Sequence, residues 1–265
     1  MKVGSVNSYQ NNYQVSLSKQ NEKETAKAAK EVASGKKVNS AGDNSAAMAV
    51  SQEMMRQLKA FQQATDNISS GTSMTNIADG AMSSIAENLQ DIEGNSVRAM
   101  NGTMTQEDRD TLQQSINGSL GTIDSVAQSA QYNGKSLLNG STGSVSIATG
   151  SGNVTVSGSD MTTSGLGLSG YSVTDGTANE KAISDAYNKL GTARSTNGAQ
   201  SNVLAQAYNG TQNAIQNTTQ SYSLQMDADM TKAISRYKQS QTVTSVQEAL
   251  RKKKMEEGSF ISMMV

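Results

Sequence analysis

The feature that most constrains this chain is an apolar stripe over residues 46–100. Apolar residues recur there mostly every three or four positions, the spacing of one face of an α-helix. They are Ala47, Val50, Met54, Leu58, Phe61, Ala64, Ile68, Ile77, Ala81, Ile85, Leu89 and Ile92. None of the 265 residues is proline, which would break such a helix. At about 1.5 Å per residue the helix is roughly 80 Å long, so it needs another long helix to pack along.

A second helix follows directly. Asn101-Gly102 predicts the end of the first helix, and Thr105 with Asp108 three residues later is a variant of the capping box that begins another. This second helix is predicted to extend to about Gln131. Its apolar stripe consists of Leu112, Ile116, Leu120, Ile123 and Val126.

The chain then changes character, because residues 139–177 are rich in Ser, Gly and Thr. Two short segments, 145–147 and 154–156, alternate apolar and polar residues around Gly150-Ser151-Gly152, which predicts a β-hairpin. Helical spacing returns at Ala182 and continues weakly to Leu250. The predicted fold class is therefore mainly α, with long antiparallel helices or a coiled coil from both chain ends and a small β-hairpin insert at about 139–178.

Composition excludes most hydrolase chemistry. The chain has no His and no Cys, so it lacks Ser-His-Asp and Cys-His arrangements, zinc sites of the His or Cys kind, and disulfides. The pattern GxGxxG of a dinucleotide-binding loop occurs at 165–170. Such a loop needs a buried strand before it and a helix directly after it, and the sequence predicts neither here. We therefore expect no enzyme, no cofactor and no metal site.

The charge balance and the hydropathy pattern exclude two classes of partner. With 22 basic and 23 acidic residues, the chain lacks the excess of cations that nucleic-acid binding requires. No run approaches the roughly 18 apolar residues of a membrane span, and the first residues lack the apolar part of a signal peptide. We expect neither nucleic-acid binding nor membrane insertion.

The two terminal segments differ from the middle. They are net basic and carry few large apolar side chains, so we expect them to be labile in the monomer and to need a partner. Their apolar positions could form an internal core or a contact between copies of the chain, and we favour the contact because they are too sparse to bury a separate domain. These predicted subunit-interface residues are Val15, Leu17, Val32, Val243, Val246, Leu250, Phe260, Ile261 and Met264.

Several motifs resemble those of bacterial flagellins in order and spacing. Segment 33–46, ASGKKVNSAGDNSA, is similar to the approach to the first core helix of that family. Residues 101–103 and 132–140 resemble the boundary of its second helix and the turn that follows. Further similarities lie at Ser159-Asp160-Met161, Leu166-Gly167-Leu168, Gly198-Ala199-Gln200-Ser201-Asn202, Asp227-Ala228-Asp229 and the apolar end Phe260 to Val265.

The resemblance implies a minimal flagellin without large outer domains. Residues 1–42 and 222–265 would form the inner-tube domain, D0-like, and residues 43–221 the core domain, D1-like. The implied function is a structural subunit of the flagellar filament, extracellular, that assembles helically with copies of itself for motility. An export chaperone, bound by the segment after Asp227, and a filament cap are implied partners. Two alternatives remain: a hook–filament junction protein, and a secreted helical adhesin or secretion-tip protein.

The sequence departs from the family at two places. Flagellins usually carry an Arg on the first core helix and a Leu four residues later, which anchor Toll-like receptor 5, and the matching positions here are Asp91 and Asn95. Charge reversal and loss of an apolar anchor predict weak or no activation of that receptor. The basic run from Arg251 to Lys254 is also unusual, and a solvated face is its expected role.

Overall fold

The computed structural model describes residues 3–150 and 152–263. It confirms the predicted fold class of long helices with small antiparallel strand pairs. The helices are α1 (Val3–Ser34), α2 (Ser45–Ala99), α3 (Gln106–Ser129), α4 (Thr163–Leu166), α5 (Glu180–Met226) and α6 (Met230–Met263). The strands are β1 (Gln131–Tyr132), β2 (Lys135–Ser136), β3 (Ser144–Ala148) and β4 (Asn153–Ser157).

Helix α2 confirms the helix predicted over residues 46–100, but its buried face differs in the middle. Ile85, Leu89 and Ile92 are fully buried as expected. Ile77 is exposed instead, because a position nine residues after the buried Ile68 lies about 180° around the helix. Val50, also predicted on the stripe, is exposed. Buried apolar positions on this helix that the predicted stripe omitted include Met74, Ala78 and Met82.

Helix α3 begins at the predicted capping box. The backbone N–H of Asp108 donates to the Thr105 hydroxyl oxygen at 3.2 Å, and the Thr105 N–H donates to the Asp108 carboxylate at 3.1 Å. Hydrogen bonds from the hydroxyl and backbone N–H of Thr105 lower the pKa of Asp108. The helix ends at Ser129, slightly before the predicted end, because β1 and β2 pair immediately afterwards around Asn133-Gly134.

The predicted hairpin is confirmed as the antiparallel pair of β3 and β4. Val145 faces Val156 and Ile147 faces Val154 in its register. Ile147 and Val156 are buried, so one face of the hairpin packs on the helices. Ser151, in the predicted turn, lies outside the described residues.

The GxGxxG spelling belongs to a short helical turn. The Thr162 hydroxyl caps α4 by accepting the Gly165 N–H at 3.1 Å, and Gly167 ends it in the left-handed conformation at φ 86°. Asp124 of α3 accepts hydrogen bonds from the N–H and hydroxyl of Thr163 at 2.8 and 3.0 Å. The glycines here therefore shape a turn that is attached to α3.

The contacts divide the chain into two units. One unit contains the chain up to Gln57 together with the chain from Asn217 on, and the other is Leu58–Gln216. The second unit holds the large core, in which α2 and α5 approach closely at Gly71, where an added Cβ would lie 3.2 Å from Leu204 and from Ile147. The domain boundaries predicted from the sequence, 42/43 and 221/222, stay a prediction.

The first unit has a much smaller apolar core. Its buried members are Val38, Ala47 and Met226, with Met48 and Tyr222 packed against them. Helices α1 and α6 each add a buried alanine, Ala28 and Ala233, and the polar contacts between these two helices form the candidate site.

Candidate assembly surface

Helices α1 and α6 pack antiparallel, and a half-buried asparagine fixes their register. The Asn21 side-chain amide donates to the Ser240 carbonyl oxygen at 3.1 Å and to the Thr244 hydroxyl at 2.7 Å. A shift of one helix turn would remove both hydrogen bonds and leave a partly desolvated amide unpaired. A polar residue at a helix–helix seam commonly sets register in this way, at some cost in stability. Nothing in the local sequence distinguishes Asn21 from the other asparagines, so the sequence analysis missed it.

A buried carboxylate lies further along the same helix pair. Glu31 is 3% exposed, and its Oε2 lies 3.0 Å from an Nη of Arg236 on α6. This contact is an ion pair without hydrogen-bond geometry, since Oε2 of Glu31 accepts no hydrogen bond from the described residues. The Arg236 side chain is about half exposed, so water screens the pair on one side. Among the acidic residues of α1 whose burial is described, Glu31 alone is buried.

We expect Arg236→Met to weaken the pairing of α1 with α6 by about 1–3 kcal/mol, because it leaves the buried Glu31 without its cation. The half-exposed position of Arg236 places the effect below that of a fully buried pair. The double variant Glu31→Met/Arg236→Met removes the unpaired charge and is expected to recover most of the loss. Hydrogen exchange of the α1 amides around Glu31 measures both effects.

Lys238→Met is the matched control, since Lys238 is an exposed cation on the same helix and has no ion pair with any described residue. It should leave the exchange rates unchanged. Equal exchange in Arg236→Met and the unsubstituted chain, or a double variant weaker than the single one, would contradict the role of this pair.

The end of α1 pairs with the non-helical residues between α5 and α6. Lys37 N–H donates to the Met226 carbonyl at 2.8 Å, and Ala228 N–H donates to the Gly35 carbonyl at 2.9 Å. Lys36 and Asp227 thereby form an isolated antiparallel bridge. Gly35 has φ 69°, in the left-handed region that glycine enters without steric cost. This bridge joins the end of α1 to the break between α5 and α6.

This break corrects the helix predicted to continue to Leu250. Asp227 lies in the bridge, outside either helix, and Asp229 caps α6 by accepting the Lys232 N–H at 3.1 Å. Backbone hydrogen bonds with the α1 segment replace those that a continuous helix would make. The signal in the sequence was Asp229 directly before a helical stretch, which is a preferred N-cap pattern.

Three exposed apolar residues form a stripe on α6, here named the α6 stripe: Val243, Val246 and Leu250. Their spacing of i, i+3 and i+7 places them within about 60° of one another around the helix. Val246 is 53% exposed and Leu250 is 51% exposed. The α1-facing positions Ser240 and Thr244 lie roughly 100° from the centre of the stripe. Helix α1 therefore leaves Val246 and Leu250 uncovered, whereas Val243 borders the groove lined by Asn21 and Ala28 of α1.

The other predicted interface residues fall into three groups. Val15 is exposed on α1. Leu17 and Val32 are half-buried, and they lie on the same face of α1 as Ala28, a buried residue on the side of α1 that faces α6. The side chains of Phe260 and Ile261, and all of Met264, lie outside the described residues. The assignment of these nine residues to a subunit interface stays a prediction.

The two predicted receptor positions lie on α2. Asp91 is exposed and Asn95 is half-buried, one helical turn further on. The neighbouring Ile92 and Ser96 are buried, so the exposed edge of α2 here carries an acidic group and an amide. No group of three or more acidic side chains within 3–150 and 152–263 is placed to hold a metal ion. Across the same ranges, none of the helices combines the length and apolar character needed to span a membrane.

Comparison with known proteins gives consistent matches. Residues 5–142 match the family described as the bacterial flagellin N-terminal helical region. A flagellar filament 30.7 kDa core protein of Treponema maltophilum is 28% identical over 243 residues, covering 83% of this chain and 84% of that protein. Flagellin of Shigella flexneri is 33% identical over 150 residues, which cover 56% of this chain and 27% of that protein. The crystal structure of Bacillus cereus flagellin superposes with a TM-score of 0.51 and 25% identity, covering 55% of this chain and 88% of that one.

Proposed function

This chain belongs to the bacterial flagellin family, and on that basis we propose that it is a structural subunit of the flagellar filament, polymerising outside the cell with copies of itself. Its role is mechanical rather than enzymatic. The observation that carries this proposal is the α6 stripe, an apolar surface on a helix whose α1-facing side is already occupied. Such a surface is stabilised when another copy covers it.

Helical polymerisation follows from the kind of contact that the stripe can make. A patch that meets a different patch on the next copy forms a heterologous interface, which need not close and therefore grows into a filament. The unit that contains α1 and α6 has a small apolar cluster, Val38, Ala47 and Met226, outside these two helices, so association would supply the apolar burial that favours their ordered state. We assign this assembling role to residues 1–42 and 222–265, with residues 43–221 as the surrounding core layer.

Family membership supports two further partners. We propose that an export chaperone binds the segment after Asp227 and that a filament cap receives each arriving subunit. The exposed apolar residues of α6 are the surface that such a chaperone would cover before assembly. Covering them would keep subunits from polymerising inside the cell.

Seeded growth tests the proposed function. Purified full-length chain is mixed with short filament seeds and followed by electron microscopy, beside a variant without Met1 to Gly35 and without the segment after Asp227. Long tubes from the intact chain alone are expected. Closed rings would favour a hook–filament junction protein, and persistent monomers would favour a secreted adhesin or secretion-tip protein.

We propose that Toll-like receptor 5 recognises this chain weakly, because Asp91 and Asn95 present a negative charge and an amide on the exposed edge of α2. The variant Asp91→Arg/Asn95→Leu should raise receptor signalling on the order of tenfold at matched monomer concentration. Asp66→Arg, a charge reversal at an exposed position of the same helix, is the control and should change little. Signalling by the unsubstituted chain equal to that of a typical flagellin would contradict the prediction.

A further inference from the structure

We propose that Asn101-Gly102 is a site of spontaneous covalent modification, at which the Asn101 side chain cyclises onto the Gly102 backbone nitrogen and water then opens the ring. The substrate is water and the products are aspartate or isoaspartate with ammonia. The proposal rests on the local geometry of the turn between α2 and α3 and is independent of the proposed function.

Six Asn-Gly pairs occur in the chain, and glycine after asparagine favours this chemistry because no Cβ crowds the attacking nitrogen. Three pairs lie inside helices, where the glycine N–H donates to the carbonyl four residues earlier and the nitrogen is held away from attack. These helical pairs are Asn117-Gly118 in α3, and Asn197-Gly198 and Asn209-Gly210 in α5. The remaining three lie outside helices, beginning at Asn101, Asn133 and Asn139, and Asn139 forms an isolated antiparallel bridge with Asp160.

The Asn101 pair combines three features that promote cyclisation. Asn101 and Gly102 are both exposed, so water and hydroxide reach them. The Gly102 N–H donates to no acceptor among the described residues. The Asn101 Oδ1 accepts hydrogen bonds from the N–H and the hydroxyl of Thr103, at 3.1 and 3.0 Å. These two donors polarise the side-chain carbonyl and stabilise the negative charge that develops on Oδ1 during attack.

The other two non-helical pairs each lack at least one of these features. Asn139 has the same arrangement, with Ser141 donating from its N–H and hydroxyl at 3.0 and 2.6 Å. Its Gly140 N–H, however, donates to the Ser159 carbonyl at 3.3 Å, and Asn139 is half-buried. At Asn133-Gly134 no donor to the Asn133 side-chain oxygen is found among the described residues. We therefore expect Asn101 to react first.

The step balances without a redox partner. Base removes the Gly102 amide proton, the nitrogen bonds to Cγ of Asn101, and the bond from Cγ to Nδ2 breaks as Nδ2 leaves as ammonia. Water then adds to either carbonyl of the five-membered succinimide and opens it to aspartate or isoaspartate. Isoaspartate inserts an extra methylene in the backbone, which disrupts the 3.0 Å hydrogen bond from the Met104 N–H to the Asn101 carbonyl in this turn.

The test follows the six pairs by peptide mass spectrometry while the full-length chain is kept in mildly alkaline buffer made with heavy-oxygen water. Incorporation of heavy oxygen marks each hydrolysed succinimide, and fragment ions assign it to a residue. Asn101 is expected to react at least about tenfold faster than Asn117 and Asn209, which are also exposed but helical. The same chain unfolded in urea is the control, and its six pairs should react at similar rates.

Two variants connect the rate to the geometry. Gly102→Val should reduce modification at Asn101 to the level of the helical pairs, and the fold tolerates it because an added Cβ at Gly102 meets nothing within 4 Å. Thr103→Val removes the hydroxyl donor but keeps the N–H, so a smaller decrease of about threefold is expected. Modification of Asn101 no faster than of Asn117 and Asn209, or an unchanged rate in Gly102→Val, would overturn the proposal.

Discussion

Val246→Asp is expected to raise the critical concentration for filament elongation on the order of 100-fold, because it places a carboxylate in the apolar surface that the next copy covers. A loss of about 2–4 kcal/mol for one central interface position corresponds to this range. The substituted residue is 53% exposed in the monomer, so the helix itself should form as before. The measurement is the subunit concentration that remains in solution at the end of seeded growth, with helix content compared by circular dichroism.

Ser245→Asp provides the matched comparison. Ser245 is an exposed neighbour on the same helix. Around the axis it lies about 100° from Val246, about 140° from Leu250 and about 160° from Val243. The same charge at this position should raise the critical concentration less than about threefold. Equal effects of the two substitutions would mean that negative charge on α6, rather than the stripe, governs elongation.

Leu89→Ala should lower the free energy of unfolding of the Leu58–Gln216 unit by about 2–5 kcal/mol. Leu89 is fully buried in the large core with Ile85 and Ile92, so removal of its side chain leaves a cavity that its neighbours fill only in part. The thermal midpoint of that unit is expected to fall by about 5–15 °C.

Ile77→Ala is the control on the same helix, because Ile77 belongs to the predicted stripe but is exposed in the structure. It should cost less than about 1 kcal/mol. A loss from Ile77→Ala as large as that from Leu89→Ala would mean that Ile77 is buried, as the sequence pattern predicted. Thermal and urea unfolding of the two variants, measured side by side, give the two losses.

The sequence predicted those parts of the fold that depend on local signals. The α2 helix follows from its periodicity, the start of α3 from the Thr105 capping box, and the β3–β4 hairpin from alternation around glycines. The prediction for Ile77 was wrong because, between Ile68 and Ala81, the buried face of α2 is formed by Met74 and Ala78 instead. Spacing alone did not decide which of these residues turns inward.

The parts that escaped prediction depend on contacts between distant segments. The break at Asp227 requires backbone hydrogen bonds with residues 35–37, almost two hundred positions earlier. Asn21 and Glu31 became recognisable only once Ser240 and Arg236 lay opposite them. The α6 stripe was predicted as apolar positions, yet its separation from the α1-facing side required the structure.

The central claim is that copies of this chain associate through the α6 stripe, and a cryo-electron microscopy reconstruction of seeded filaments tests it most directly. The account predicts that Val243, Val246 and Leu250 lie buried against a neighbouring copy, with the Asn21 and Glu31 contacts retained inside each subunit. A filament in which these three side chains face solvent, while subunits meet through other surfaces, would contradict it.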